Sequence, residues 1–324
     1  MSVERLLEQA REREVAGDVS AAVTVGEAAV ACQRSAGTLL ELARLLIGAA
    51  RWKEAEAVAR EASALNPSGA GAYFALGVAL EAQGEYLNAL SAFESGLGIE
   101  DLSSARVIVA QLCRRLGLRD RAVREFEQVL KRDPTDTEAL YGLAFTIRTS
   151  DPIRAEEFLR EVLRIDPAEK SALRELGYVL WRQSKSAAAE LSLRSAIDHS
   201  PDDAWSHNYL SSVLLSLDRP AESELSARTA IGILPEEPLF HCDLGDALFA
   251  QERWVEAEQA YLAALALDIG HFAANLHFGR LLEKRGHLSR ALNYYERALA
   301  SRPVSSQARV SIERLRAGAP PVSD

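Results

Sequence analysis

The sequence has few of the side chains that build disulfide frameworks, soft-metal clusters or ring-lined pockets. Its 324 residues include three cysteines, one methionine and only 6% aromatics. Three is an odd number, and Cys32, Cys113 and Cys242 stand far apart. A disulfide scaffold is thereby excluded, and reduced thiols in a cytoplasm are the expectation. Glycine and proline, 19 and 11, are too sparse for a low-complexity or collagen-like chain. No apolar run approaches the roughly 20 residues that span a bilayer. The opening stretch MSVERLLEQAREREV is charged from its fourth residue and lacks the apolar core of a signal peptide. Basic side chains are outnumbered 37 to 47, for a net charge of −10. General nucleic-acid binding, which depends on neutralising phosphates, is a poor expectation for such a chain. Phosphate-binding loops, dinucleotide fingerprints, paired-cysteine metal motifs and zinc-protease helices are all missing. No catalytic residue and no cofactor are assigned.

What the chain does have is helix-forming apolar material. It is 48% hydrophobic and 26% charged, rich in Ala, Leu, Glu and Arg, which favours helices around a buried core. Length alone suggests about two domains, a count that a repeat array would empty of meaning. The stretch LGVALEAQGEYLNAL, residues 76–90, places Gly77 inside a helical stripe. A glycine there costs roughly 1 kcal/mol relative to alanine.

Stepping from Gly77 by 33 or 34 residues gives Ala10, Ala43, Ala110, Ala144, Gly177, Ser211, Gly245 and Gly279. Twelve residues further on runs a second small column: Ala22, Ala55, Ala89, Ala122, Ala155, Ala189, Ser223, Ala257 and Ala291. A third follows by seven, from Ala29 to Ala298, and a fourth holds proline in six of nine units, among them Pro67 and Pro303. Four columns in register define two antiparallel helices per unit. The small residues let facing helices approach closely, Gly84 and its counterparts turn the chain between them, and the prolines stop the second helix. Gly77 is a packing device.

The segment Tyr73, Leu76, Gly77, Leu80, Gly84, Tyr86, Ala89, Phe93 resembles the tetratricopeptide repeats, whose signature carries large, small and aromatic residues at these offsets. Nine such units start near residues 3, 36, 70, 103, 137, 170, 204, 238 and 272. The resemblance implies an all-α fold, a right-handed α-solenoid of antiparallel helix pairs. It would form a single array over 3–303, with a capping helix within 304–316 and a flexible tail over 317–324. The fifth unit departs by a shortened turn around Asp151, and the seventh carries Ser211 and Ser223 where small apolar residues are usual.

In this family the first helices line a concave groove. Carried over position by position, that implies a peptide-binding set of Arg114, Arg115, Tyr141, Phe145, Arg148, Arg174, Tyr178, Trp181, Arg182, Trp205, Asn208 and Tyr209. Asp243, Asp246 and Phe249 follow with the opposite charge. Arginine grips carboxylates and stacks on rings, so a peptide or helix of another protein, with acidic groups or a C-terminal carboxylate, is the expected ligand. The arginines could instead pair with Glu138 or Glu175. His207 and His241, 34 residues apart, could bridge a metal or fill a position where the family carries Trp, Tyr or Leu. The second reading is adopted, and no metal ligands are assigned. Cys113 is read as a core thiol and Cys242 as facing the groove. The function implied is a non-enzymatic interaction adaptor. A self-assembling scaffold and a sensor of a small signalling peptide are the alternatives, and self-association is compatible with either.

Overall fold

The structure, a computed structural model, describes residues 1–318. Among the described residues there are nineteen α-helices and no strand. They fall into two compact units, residues 1–147 and the chain from 148 onward. The first unit holds α1 (Val3–Val15), α2 (Val19–Cys32), α3 (Ala36–Gly48), α4 (Trp52–Leu65), α5 (Ala70–Ala82), α6 (Tyr86–Leu97), α7 (Ser103–Arg115), α8 (Arg119–Arg132) and α9 (Thr137–Ile147). The second holds α10 (Pro152–Ile165), α11 (Lys170–Arg182), α12 (Ser186–His199), α13 (Ala204–Ser216), α14 (Pro220–Ile233), α15 (Pro238–Ala250), α16 (Trp254–Leu267), α17 (Phe272–Lys284), α18 (Leu288–Ser301) and α19 (Ser306–Arg316). No helix among the described residues is long and apolar enough to cross a membrane. Residues 319–324 of the expected tail lie outside the described residues.

Within each unit, sequential helices pack as hairpins, and the small columns lie along their seams. All nine members of the column from Ala22 to Ala291 are inaccessible to solvent, Ser223 included. At the glycines a large side chain of a second helix occupies the space a methyl group would need. A Cβ on Gly77 would stand 2.6 Å from the Phe93 ring, and one on Gly245 would stand 2.5 Å from the Tyr261 ring. Leu193 fills the same role against Gly177. In the fourth repeat Phe126 packs instead on Gly142 of α9. The serines of the seventh repeat satisfy one another. Ser211 and Ser223 hydroxyls lie 2.9 Å apart, and Ser223 also donates to the Ser211 carbonyl at 2.8 Å, so neither is left unpaired.

Turns between paired helices adopt the left-handed region. Glycine supplies it at Gly84 (φ +78°), but Ala50, Ser184, Asp218 and Glu252 take φ of +55° to +61° without it. A polar ladder then links neighbouring repeats outside the core. Gln83 donates to Glu56, Gln183 to Glu156 and Gln251 to Glu224, at 2.8–2.9 Å. Arg219 reaches Glu190, and Arg253 reaches Glu224. These bonds are part-buried at the rim of the core, and pairs that solvent still screens contribute about 1 kcal/mol each, so the ladder sets register more than stability.

The last helix, α19, docks on α18 through Ala308 and Ile312, both buried. Its Arg314 grips the buried Glu283 of α17, and the Tyr295 hydroxyl of α18 donates to the same carboxylate at 2.9 Å. Burial alone would raise the Glu283 carboxyl, but Arg314 and Tyr295 outweigh it and hold it below its ordinary value. A depressed carboxyl stabilises fully above its unfolded value, about 4.3, and that stabilisation is lost as pH falls through the folded value. Arg314→Ala should therefore loosen α19 by about 2 kcal/mol at pH 7, read as faster amide exchange confined to α19. The difference from wild type should shrink on acidification below pH 4. A pH-independent difference would remove the ion pair as its cause.

Candidate functional site

Each unit has its own first-helix face. In the first, the guanidinium of Arg114 lies 4.6 Å from the centroid of Phe145, whose ring is 6.2 Å from that of Tyr141. Arg115 stacks over Tyr86 and donates to its hydroxyl at 3.2 Å. Gln111 spans to Glu138 at 2.8 Å. These side chains are all tied into intramolecular contacts.

In the second unit the face divides into three zones. The first is a charge clamp. Glu175 of α11 is a buried carboxylate, its side chain 2% exposed, held by Arg148 and, at 3.3 Å, by Arg174. Arg174 also reaches Asp203 at 3.0 Å, and Ser206 donates to Asp203 at 2.6 Å. Arg148 lies over the Tyr178 ring. Two of the arginines expected to hold an acidic ligand are therefore engaged with the protein's own carboxylates, as the pairing with Glu175 allows. Arg182 is exposed at the end of α11.

The second zone is a run of rings. Trp181 is 6.1 Å from Tyr178, Tyr178 is 5.0 Å from Tyr209, and Tyr209 is 5.9 Å from Trp205. Trp205 then meets the buried Phe240 edge-on at 5.1 Å. Burial, with the Glu175 carboxylate nearby, pushes the Tyr209 phenol up to about 12. The rings are half-buried, which leaves faces for an apolar ligand segment.

The third zone is an acidic recess of 380 Å³ lined by Trp181, Ser212, Leu215, Asp243, Asp246 and His277. Asp243 accepts from Asn208 at 2.7 Å and from Ser212 at 3.3 Å. Protein surrounds it so closely that burial, and then the Asp246 charge, push its carboxyl up to about 7. Asp246 accepts from the Tyr261 hydroxyl at 2.7 Å and faces His277 Nδ1 at 2.8 Å. Phe249 lies beyond, edge-on to Trp254 and under the guanidinium of Arg280.

Cys242, expected at the groove, is instead fully buried, with its Sγ 3.8 Å from His277 Nδ1. Cys113 is a buried core thiol. His207 and His241 each bond through Nε2 to a carbonyl of their own preceding loop, Pro201 at 2.9 Å and Pro235 at 2.8 Å. They are loop anchors. His277 was missed by the sequence reading, although a signal was present. It lies 34 residues after Asp243, which lies 34 after Tyr209 and 68 after Glu175, so one column supplies all four.

Antiparallel helix hairpins stacked on small-residue seams, with polar and aromatic side chains on the first-helix face, define an α-helical repeat protein of the interaction type. The tetratricopeptide repeat profile matches residues 40–101, 103–146, 147–204, 174–238, 210–272 and 276–312. The chain belongs to the tetratricopeptide repeat family, whose members generally mediate protein–protein interactions or scaffolding.

A curated relative, the TPR repeat-containing protein PA4667 of Pseudomonas aeruginosa, is 33% identical over 76 residues. That match covers 23% of this chain and 13% of the relative's length. Among solved structures, the APC/C hetero-tetramer Cut9–Hcn1 superposes with a TM-score of 0.65 at 17% identity, over 91% of this chain and 59% of that one. A tetratricopeptide repeat protein from Parabacteroides merdae gives 0.62 at 17%, over 72% and 94%. The Pseudomonas aeruginosa pilF structure gives 0.54 at 20%, over 67% and 97%. At these identities the likeness to the solved structures is one of fold.

Proposed function

We propose that the protein is a non-enzymatic adaptor that binds a peptide or helical segment of a partner protein on the first-helix face of its second unit. The observation that carries this reading is the run Trp181–Tyr178–Tyr209–Trp205, with exposed Arg182 beside it and the Asp243/Asp246 recess lined in part by Trp181. Rings and arginine are the side chains that dominate binding energy at interfaces. With Arg148 and Arg174 committed to Glu175, an acidic or C-terminal carboxylate group of the ligand falls to Arg182. A basic group falls to the recess. We also infer a cytoplasmic location, supported by three cysteines that are odd in number and far apart in the sequence.

The test is affinity capture from host lysate with a Trp181→Ala/Arg182→Ala variant, which leaves the Glu175 clamp intact. A partner held by wild type and weakened at least tenfold by the variant supports the reading, once the purified partner reproduces the difference. An unchanged set of partners moves the binding surface off this face.

A second reading, self-association through the second helices, is favoured by Leu191 and Leu225. They stand at the same position of α12 and α14 and are 73% and 68% exposed. Sedimentation unchanged by Leu191→Glu/Leu225→Glu would eliminate it.

A further inference from the structure

We propose that Cys242, Asp246 and His277 form a binding site for a divalent transition-metal ion of the zinc type, open to the acidic recess. Cys242 and Asp246 stand four residues apart on α15 and therefore share one face of that helix. His277 comes from the facing α17, and the three donor atoms all lie within 4.8 Å of one another.

Two of the three donor separations compare directly with those of a tetrahedral ion. With metal–sulfur near 2.3 Å and metal–nitrogen near 2.0 Å, sulfur and nitrogen stand roughly 3.6 Å apart. Cys242 Sγ and His277 Nδ1 are 3.8 Å apart. The same geometry separates nitrogen from a carboxylate oxygen by roughly 3.3 Å, against the 2.8 Å of the His277–Asp246 bond. An ion replacing the bridging proton needs an opening of about half an ångström along that one contact.

The surroundings fit a held ligand set. The Tyr261 hydroxyl donates to Asp246 Oδ1 at 2.7 Å and leaves Oδ2, 2.9 Å from His277 Nδ1, without that bond; outer bonds of this kind orient metal ligands. Asp243 lines the same recess as Asp246 and His277 and is itself fixed by Asn208 and Ser212. Asp246 and His277 line the recess, so an ion can enter from that side and keep a fourth position facing it. A thiol within the donor set favours a borderline-soft ion over magnesium or calcium, which take oxygen ligands. Neither the family match nor the adaptor reading is needed for this inference.

Cobalt(II) is the direct probe. The full chain, stripped with chelator and kept reduced with a phosphine, is titrated with cobalt chloride. One equivalent should give the intense thiolate-to-cobalt charge-transfer band together with the visible bands of a tetrahedral ion, and zinc should bleach both. Cys242→Ser should abolish the charge-transfer band, and His277→Gln should weaken binding at least tenfold. Circular dichroism of the ion-free variants checks that they fold.

As an independent readout, zinc should raise the melting temperature of wild type and leave that of a Cys242→Ser/His277→Gln double variant unchanged. The proposal is overturned if cobalt gives no thiolate band. It is equally overturned if the band survives Cys242→Ser, which would place the ion at exposed Cys32. Weak binding equal in wild type and variants would mean surface carboxylates only, and would also overturn it.

Discussion

Gly177→Leu is expected to destabilise the second unit by more than 3 kcal/mol, far beyond the effect of Arg174→Ala. A Cβ at Gly177 would collide with the Leu193 side chain, and Leu193 is itself fully buried against α11. Three further side-chain carbons have nowhere to go unless α11 and α12 separate, and overpacking of this kind costs 1–3 kcal/mol, occasionally more. The seam is shared along the array, so the loss spreads to neighbouring repeats. Arg174→Ala, by contrast, leaves Arg148 on Glu175 and Ser206 on Asp203, and should cost about 1 kcal/mol.

An internal control distinguishes collision from mere loss of glycine. Gly232, on α14, would place a new Cβ in open space. Gly232→Ala should therefore be neutral or stabilise by up to about 1 kcal/mol. Urea unfolding of the three variants checks the order. Equal midpoints for Gly177→Leu and Arg174→Ala would refute the close-approach account of the small column.

That column was legible in the sequence because close approach tolerates only small side chains, so the constraint is written at each repeat. Ala22, Ala89 and Ala155 need no neighbour to identify them. The turns were only half legible. Gly84 announces its left-handed backbone, but Ala50, Ser184, Asp218 and Glu252 adopt the same φ. An ordered array absorbs the roughly 1 kcal/mol that each costs, and no residue type marks them.

The division near residue 147 has no signature in composition beyond the shortened turn at Asp151. Of the candidate site, the rings and acids could be placed by periodicity. The pairing could not be. Whether Arg148 faces a ligand or Glu175 depends on how two long side chains are directed, which spacing leaves open. His277 has no histidine at the same position of the preceding repeats, where Asp243, Tyr209 and Glu175 stand, whereas the repeated pair His207 and His241 serves its own loops.

The second large effect concerns that pairing. Replacing Arg148 and Arg174 together by methionine should cost about 3–5 kcal/mol, the range for a buried ion pair deprived of one side. The reason is Glu175, a carboxylate 2% exposed whose two cationic partners are both removed. The methionines keep most of the apolar stem packing of the arginines, so the loss reports charge and hydrogen bonding. Adding Glu175→Leu to the same background should recover most of it, since a buried ion cluster replaced as a whole by apolar side chains is often neutral or better. With Glu175→Leu alone as the third variant, the set forms a cycle whose coupling, read by chemical unfolding, should exceed about 2 kcal/mol.

A different result would assign the arginines differently. If the double methionine variant keeps full stability but loses a partner, Arg148 and Arg174 turn outward in solution and belong to the ligand. If stability falls and Glu175→Leu restores both fold and partner binding, the clamp is architecture, and recognition rests on the rings, Arg182 and the acidic recess.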